Sequence, residues 1–358
     1  MKSNILVHHP HQITQKWAQR ILEHYAADAK VSDVNIQSIN IGTTTRLKIK
    51  VNHDAPEVVP LNWFVKIPSL VLRSRLITAL PRLLHKEVNF YKSLSVNTPL
   101  KLPPILAAQS QFGLGSTLVM ADLAELGFQP GQTSDALSLE QAQKVVEHLA
   151  KFHSQFWEKP ELLNTHRWLS GFNVSAENWL GSLLAVPLMK RGLSLADKLI
   201  ADKLRKPALN YAANRRKIIK LLASGPQTLV HHDCHPGNFF WEGTTPGFLD
   251  WQLVRMGEGI GDIAYFLATS LTPQNRRAYE NQLLKLYFTT LQAQGVADID
   301  ESGLYQRYRM HLTYPFEAMV ITLALGNMME LNSNLELISR ATSAIEDHDS
   351  FAALQLQS

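Results

Sequence analysis

The sequence is poor in the features that would place it quickly. It has one cysteine, Cys234, among 358 residues. A lone cysteine excludes an internal disulfide and a cysteine-built zinc site, and it suits a reducing compartment. No stretch approaches the ~18 uninterrupted apolar residues of a membrane span; the best candidate, Met319 to Met329, is too short. The start of the chain, Lys2 and then Ile5-Leu6-Val7 before His8-His9-Pro10-His11, lacks the longer apolar stretch and small-residue cleavage site of a signal peptide. The expectation is therefore a cytoplasmic protein without a membrane partner. Charge of either sign is also scarce: 18% of residues are charged, and 35 basic residues face 31 acidic ones. A pI near 9.0 would suit a polyanion. No basic block interleaved with aromatics is present, however, so no nucleic-acid partner is expected. The densest basic group, Arg205-Lys206 with Arg215-Arg216-Lys217, falls in a helical stretch and reads as a solvated face. There is no internal repeat and no low-complexity segment, and no obligate protein partner is evident. What is present is a 45% hydrophobic composition, ample for a large core, over a length that suggests two domains or one bilobal unit.

The first third reads as mixed α and β. Ile13, Trp17, Ile21 and Tyr25 recur every four residues after Thr14, predicting an amphipathic helix. Extended segments are expected over Val34 to Ile41, Thr45 to Val51 and Leu61 to Ile67. The first two are separated by Gly42, Thr43 and Thr44 as in a hairpin. Pro68 ends the third, and Leu70 to Leu94 reads as mostly helical with a break at Pro81. Ile105 to Gln109 and Ser116 to Met120 look like two further strands joined by a turn containing Gly113 and Gly115. Together these make a small antiparallel sheet with a helix against it. Beyond about residue 123 the character changes. A long helix spans Leu139 to Phe156, residues 174 to 223 are mainly helical, and everything from Ile260 onwards is helical. Thr228 to Val230 and Phe248 to Leu249 are the strong strand candidates of this half.

The densest polar cluster is His231-His232-Asp233-Cys234-His235-Pro236-Gly237-Asn238, directly after the apolar Leu229-Val230; twelve residues beyond Asn238 comes Phe248-Leu249-Asp250-Trp251. The pattern is H-x-D-x-x-x-x-N, a short excursion, and an Asp at the end of a second apolar strand. Phosphoryl transfer needs this set of groups. One carboxylate orients the attacking hydroxyl and accepts its proton, while an amide oxygen and a second carboxylate hold magnesium against the nucleotide phosphates. Magnesium prefers hard oxygen ligands and keeps several waters, so one Asn and one Asp suffice. The same chemistry requires a lysine inside a strand to meet the phosphates and a glutamate on the next helix to fix it. Lys66, in Asn62-Trp63-Phe64-Val65-Lys66-Ile67, is a charge within an apolar strand, costly unless paired or functional. Period-two alternation places it on the face of Phe64. Glu87, in His85-Lys86-Glu87-Val88-Asn89-Phe90-Tyr91, lies on the following helix.

With these features in order, the chain resembles the aminoglycoside phosphotransferase and choline kinase superfamily, and within it most closely the ecdysteroid-kinase-like (CHK-kinase-like) branch. The resemblance runs from about residue 38 to 270. It is carried by Phe64-Val65-Lys66, Glu87 with Phe90-Tyr91, Leu118-Val119-Met120-Ala121-Asp122-Leu123, Leu149-Ala150-Lys151-Phe152-His153, the two Asp motifs, and Gly259-Ile260-Gly261-Asp262-Ile263-Ala264-Tyr265-Phe266-Leu267. It implies an α+β, bilobal protein-kinase-like fold. An antiparallel-sheet N-lobe would occupy 1–120, a mainly helical C-lobe 121–358, and a hinge about 118–123. It implies an ATP- and Mg2+-dependent kinase of a small-molecule hydroxyl. Asp233 would be the catalytic base and His231 would support its loop. Asn238 and Asp250 would be the metal ligands, Lys66 and Glu87 the phosphate-facing pair, and Asp262 a brace for the loop. Met120, Ala121 and Asp122 would offer backbone groups to adenine, and the hairpin carrying Gly42, Thr43 and Thr44 would cover the phosphates. Here the sequence departs from protein kinases, with Gly42 alone in place of three glycines. Ala121 also stands where relatives often carry an acidic residue. The superfamily serves aminoglycosides, choline, macrolides, sugars and steroid-like alcohols, so the resemblance does not single out an acceptor.

Two other readings compete with this one. A non-catalytic nucleotide-binding pseudokinase commonly loses one of Lys66, Asp233, Asn238 and Asp250, all of which are present here. A metallohydrolase reading rests on His231, His232, Cys234 and His235 within five residues. It needs a second ligand group at a distance and leaves Lys66 and Glu87 unexplained. Cys234 is not a promising nucleophile, because the neighbouring Asp233 would raise its pKa. Trp157, Trp168, Trp179, Trp241 and Trp251 could line an aromatic acceptor pocket, or could simply be packing. Glu346-Asp347 with Asp349 is the conspicuous acidic group and reads as a solvated tail.

Overall fold

Alternating side chains build the first sheet. In β2 (Thr44–His53) and β3 (Asn62–Pro68) the set Leu47, Ile49, Val51, Trp63, Val65 and Ile67 points to one face and is fully buried. Against that face lies helix α1 (Gln15–Leu22), capped by the Thr14 hydroxyl, which accepts the Trp17 N–H. Its Trp17, Ala18, Ile21 and Leu22 close a core with Ile5 and Val7. The structure, a computed structural model, describes residues 4–71, 82–111, 114–171, 176–297, 299–326 and 328–355. With β1 (Val31–Ile41), β4 (Ile105–Gln111) and β5 (Gly115–Ala121) the sheet has five strands in the order β1-β2-β3-β5-β4, antiparallel throughout. Helix α2 (Leu83–Ser93) brings Glu87 to Lys66, on the sheet face opposite α1. The expected break at Pro81 and the turn residue Gly113 lie outside the described residues. The first helix stops at Leu22, so Tyr25 is not on its apolar stripe as the period suggested. Tyr25 is exposed, and its hydroxyl donates to the Ile105 and Leu106 carbonyls.

The chain divides into two compact units. The first takes Met1–Pro130 and also Phe240–Gly243 and Gly247–Gln252. In it β6 (Gln129–Pro130) pairs with β8 (Phe239–Glu242), Gln129 opposite Trp241 and Pro130 opposite Phe240. The segment leading to Asp250 is tied down by the Phe248 N–H, which donates to the Lys101 carbonyl at 2.9 Å.

The second unit is mainly helical, with Gly131–Phe239, Thr244–Pro246 and Leu253–Ser358. Helix α3 (Leu139–Gln155) opens with a capping box: Ser138 Oγ accepts the Gln141 N–H, and Gln141 Oε1 accepts the Ser138 N–H. Further helices run over Ala176–Leu195, Asp202–Ala213 and Arg215–Leu221, then α4 (Gly259–Ser270), α5 (Pro273–Ala293), Glu301–His311, α6 (Thr313–Leu325) and α7 (Leu331–His348). β7 (Thr228–Val230) pairs antiparallel with β10 (Arg255–Gly257). Both β8 and β10 escaped the sequence reading, because they are only four and three residues long and show no usable period. The strand expected at Phe248 to Leu249 is β9 (Thr245–Phe248), which ends one residue earlier.

Two charge readings are corrected. Arg215 is not part of a solvated face: its guanidinium is buried against Glu317, which also accepts from the Tyr211 hydroxyl at 2.7 Å. Glu346 and Asp347 do not form a tail. They lie on α7, where Asp347 pairs with Arg276 and Arg277 and Glu346 with Lys203. Among the described residues, no helix is long and apolar enough to cross a membrane.

Candidate active site

In the first unit, Lys66 is 5% exposed and Glu87 is fully buried. The Lys66 Nζ donates to both Glu87 carboxylate oxygens, at 2.8 and 3.1 Å, and stands 3.2 Å from Asp250 Oδ1. Three residues from a strand, a helix and a distant loop thus meet around one ammonium. Burial alone would lower the Lys66 pKa, but the Asp250 and Glu87 carboxylates outweigh it and hold Lys66 above its ordinary value. Burial pushes Glu87 up to about 7 against the pull of Lys66, and the Trp251 backbone N–H also donates to it. The two tendencies oppose each other. The two-oxygen contact with Lys66 decides in favour of the ion pair. Asp250 sits at φ +61°, a left-handed conformation uncommon outside glycine, which Asp tolerates better than most residues. Trp251 next to it stacks flat on Phe90 of α2, with centroids 4.0 Å apart and planes 11° apart. Trp251 is therefore packing that fixes the Asp250 segment to the Glu87 helix, rather than pocket lining.

In the second unit, β7 delivers the chain into the His231–Asn238 loop. Asp262, in the first turn of α4 and fully buried, accepts the His231 N–H on Oδ2 and the His232 N–H on Oδ1, both at 2.7 Å. His153 Nε2 is 3.2 Å from the same Oδ2, and His153 Nδ1 is 2.9 Å from the Tyr287 hydroxyl. A carboxylate at a helix N-terminus that receives two backbone amides is a rigid bracket. His231 is buried and its Nδ1 accepts the Asp233 N–H at 3.2 Å, which carries the bracket one residue further. His232 adopts φ +71° and stacks on Tyr314 with centroids 4.2 Å apart.

Asp233 is held by neutral donors. Tyr265 of α4 donates its hydroxyl to Oδ1 at 2.8 Å, and Asn238 Nδ2 donates to Oδ2 at 3.1 Å and to the Asp233 carbonyl at 2.8 Å. Burial, and then the Asp233 charge, push the Tyr265 hydroxyl well above its usual value, so it remains a donor. Two acceptors facing Asn238 Nδ2 fix the orientation of its amide, so Oδ1 is the group it presents elsewhere. Asn238 Oδ1 and the Asp250 carboxylate are hard oxygen donors, and each fits magnesium in chemical type. Among the described residues, no group of three or more His, Cys, Asp or Glu is gathered as a metal site. His235 Nδ1 accepts the Gly237 N–H, and the fully buried Cys234 thiol is pushed well up by burial and by Asp262 and Asp233.

The ecdysteroid kinase-like family model matches residues 45–296. The chain belongs to the ecdysteroid kinase-like family. Among curated proteins, an uncharacterized kinase-like protein of Caenorhabditis elegans is 29% identical over 120 residues; the match spans 32% of each chain, so this chain covers about a third of that relative. Solved structures share the fold. The GDP and kanamycin complex of APH(2")-IIia superposes with a TM-score of 0.53 at 13% identity, covering 93% of this chain and 98% of that one. The wild-type aminoglycoside 2'-phosphotransferase-IIIa in its GDP complex gives 0.51 at 11% identity, over 93% and 98%. Plasmodium vivax ethanolamine kinase gives 0.50 at 12% identity, over 93% and 87%. The α+β kinase-like fold expected from the motifs is the fold found.

In this ecdysteroid kinase-like chain the remaining expected site residues are positioned as follows. The turn after β1 is closed by the Gly42 N–H, which donates to the Thr44 carbonyl at 3.0 Å, and the Ser69 hydroxyl donates to the Gly42 carbonyl at 2.8 Å. Thr43 is half-buried in that turn and Thr44 is buried. The neighbouring Thr45 hydroxyl accepts the Leu70 N–H. Met120 and Ala121 lie on β5, opposite Phe64 and Trp63. The amides of Ala121 and Asp122 are committed to the Pro104 and Asn62 carbonyls, and the Asp122 carboxylate lies 3.1 Å from Lys48 Nζ. Sequence reasoning gave no role to Tyr265 or Tyr314. Tyr265 stood inside the quoted Gly259–Leu267 motif, one helical turn after Asp262, which was the available signal. Tyr314 carried none.

Proposed function

We propose that this chain is a magnesium-dependent kinase that transfers the γ-phosphate of ATP to a hydroxyl of a small molecule. One observation carries the reading: residues 66, 87 and 250, far apart in sequence, converge on a buried ammonium flanked by two carboxylates. A core would not retain such a group for stability, since buried ion pairs are seldom better than apolar packing. Phosphoryl transfer, by contrast, needs that lysine poised for phosphate and that aspartate for metal. Lys66 meets the α and β phosphates, and Glu87 keeps it in place. Asn238 and Asp250 supply oxygen ligands to magnesium, which when bound neutralises charge on the phosphates. Asp233 accepts the proton of the acceptor hydroxyl as its oxygen attacks the γ-phosphorus and ADP departs. Tyr265 and Asn238 hold the carboxylate still, and each oxygen keeps a lone pair for that proton. Asp262 and His231 set the loop. The names of the structural neighbours, an ethanolamine kinase and an enzyme seen with kanamycin, support a small polar alcohol as the acceptor class.

The test is ATP consumption and phosphate transfer against a panel of small alcohols with wild type and Asp233→Asn. Acceptor-dependent transfer by wild type and its loss in the variant are expected. Equal behaviour of the two proteins overturns the reading. Nucleotide binding without any turnover identifies a pseudokinase, and tightly bound zinc in elemental analysis identifies a metallohydrolase.

A further inference from the structure

We infer that Arg46 is a phosphate-binding residue, gripping the β- or γ-phosphate of the nucleotide where a three-glycine turn would offer backbone amides. The inference rests on the kinase reading and deepens it. Arg46 lies on β2 directly opposite Asn40 of β1 and Lys66 of β3. Directly opposed residues of antiparallel strands project to the same face. Asn40, Arg46 and Lys66 therefore form one row across the sheet, on the face away from Leu47, Ile49 and the α1 core.

The guanidinium lies against the hairpin turn: a Cβ added at Gly42 would come within 3.3 Å of Arg46 Nη2. The turn itself is anchored from behind, with Ser69 Oγ on the Gly42 carbonyl and the Leu70 N–H on Thr45 Oγ1. Its position is thus set before any ligand arrives.

The cations of this face are not equivalent. Lys66 is held by Glu87 and Asp250, and Lys48 stands 3.1 Å from Asp122. Arg46 has five N–H donors. Among the described residues, its Nε is buried without a hydrogen-bond partner, and its Nη2 makes one long contact, 3.4 Å, to Asn40 Oδ1. A half-buried guanidinium with donors left over, beneath the turn that would cover phosphates, is a vacant fork of the shape that phosphate oxygens fill in pairs. A purely structural role would ask only that the aliphatic stem pack, which leaves the buried Nε without a purpose.

Calorimetric titration of ATP, ADP and AMP, each with magnesium, into wild type, Arg46→Met and Arg46→Lys tests this. Thermal unfolding of the nucleotide-free proteins serves as the stability control. Arg46→Met is expected to weaken ATP about tenfold or more while AMP stays within about twofold, and Arg46→Lys to recover part of the loss. Unchanged ATP affinity in Arg46→Met overturns the inference and leaves the kinase reading standing. Equal weakening of ATP and AMP also overturns it, by showing that the variant disturbs the sheet rather than a phosphate contact. A wild type that binds none of the three overturns the kinase reading and this inference together.

Discussion

Asp250 in the first unit and Asp233 in the second are both aspartates that follow a short buried strand, yet they are held by opposite means. Asp250 sits at positive φ with its Oδ1 3.2 Å from a buried ammonium. Asp233 accepts from a tyrosine hydroxyl and an amide, and His235 Nε2 is 3.9 Å from its Oδ1. The first arrangement compensates charge and depends on its partner for stability. The second fixes orientation through two hydrogen bonds from uncharged side chains, which suits the proton-accepting role proposed for Asp233. Under the proposed function, holding phosphate and metal would fall to the ion-paired group and proton transfer to the one held by uncharged donors.

The sharpest break of this comparison is Asp233→Ala. It should lower kcat by about 10²–10⁴-fold, the usual range for loss of a general base, with thermal stability close to wild type. A stability loss as large as the activity loss would show that Asp233 is structural. Lys66→Met should do the reverse. It strands Glu87 and Asp250 without their cation and should cost about 3–5 kcal/mol in urea unfolding, and Lys66→Met with Glu87→Leu should recover much of that. Asp262→Asn comes next. An amide can still accept one backbone N–H, so the loss should be about 2 kcal/mol, with the His231–Asn238 loop showing faster amide exchange.

Glu258 offers a control, a charge-held carboxylate inside the second unit, contacted by Arg307 and by His311. Burial would raise its pKa, but His311 and Arg307 outweigh burial and hold it below its ordinary value of 4.5. A depressed carboxyl stabilises the fold above its unfolded pKa, and that stability is lost as pH falls through the folded value. Wild type should thus be more stable than Glu258→Gln near pH 6, and the gap should close as the pH falls below the ordinary carboxyl value of 4.5. The smallest effect belongs to Tyr265→Phe. It should lower kcat by about fivefold and stability by no more than about 1 kcal/mol while leaving KM for ATP unchanged, since a single hydrogen bond is worth about 1 kcal/mol. A shift in KM instead of kcat would place Tyr265 in binding rather than in positioning the base.

Much of the candidate site was legible because its residues lie in local patterns. The His231–Asn238 string follows an apolar strand, Asp250 closes another, and Lys66 is a charge where alternation demands an apolar or a paired residue. The small antiparallel sheet with a helix against it followed from period two, Gly42 and Pro68, while the strand order β1-β2-β3-β5-β4 did not. What escaped was set by contacts between distant segments. Arg215 looked like a surface charge until Glu317, 102 residues away, was found beside it. Tyr265 had no role until its hydroxyl was placed on Asp233. Arg46 carried no signal of its own. β8 and β10 are too short for any period to register, and they exist because β6 and β7 give them partners.

The sequence by itself determined the family, the kinase-like fold and the identity of the candidate acidic, amide and lysine groups. Those depend on residue type and spacing along one strand, loop or helix. Only the tertiary structure decided which groups are neutralised and which are left with unengaged donors. Lys66 is neutralised by Glu87 and Asp250, Arg215 by Glu317, whereas among the described residues Arg46 keeps unused donors. Burial and partner distance set the energy of a charge, and neither is a local property of the chain.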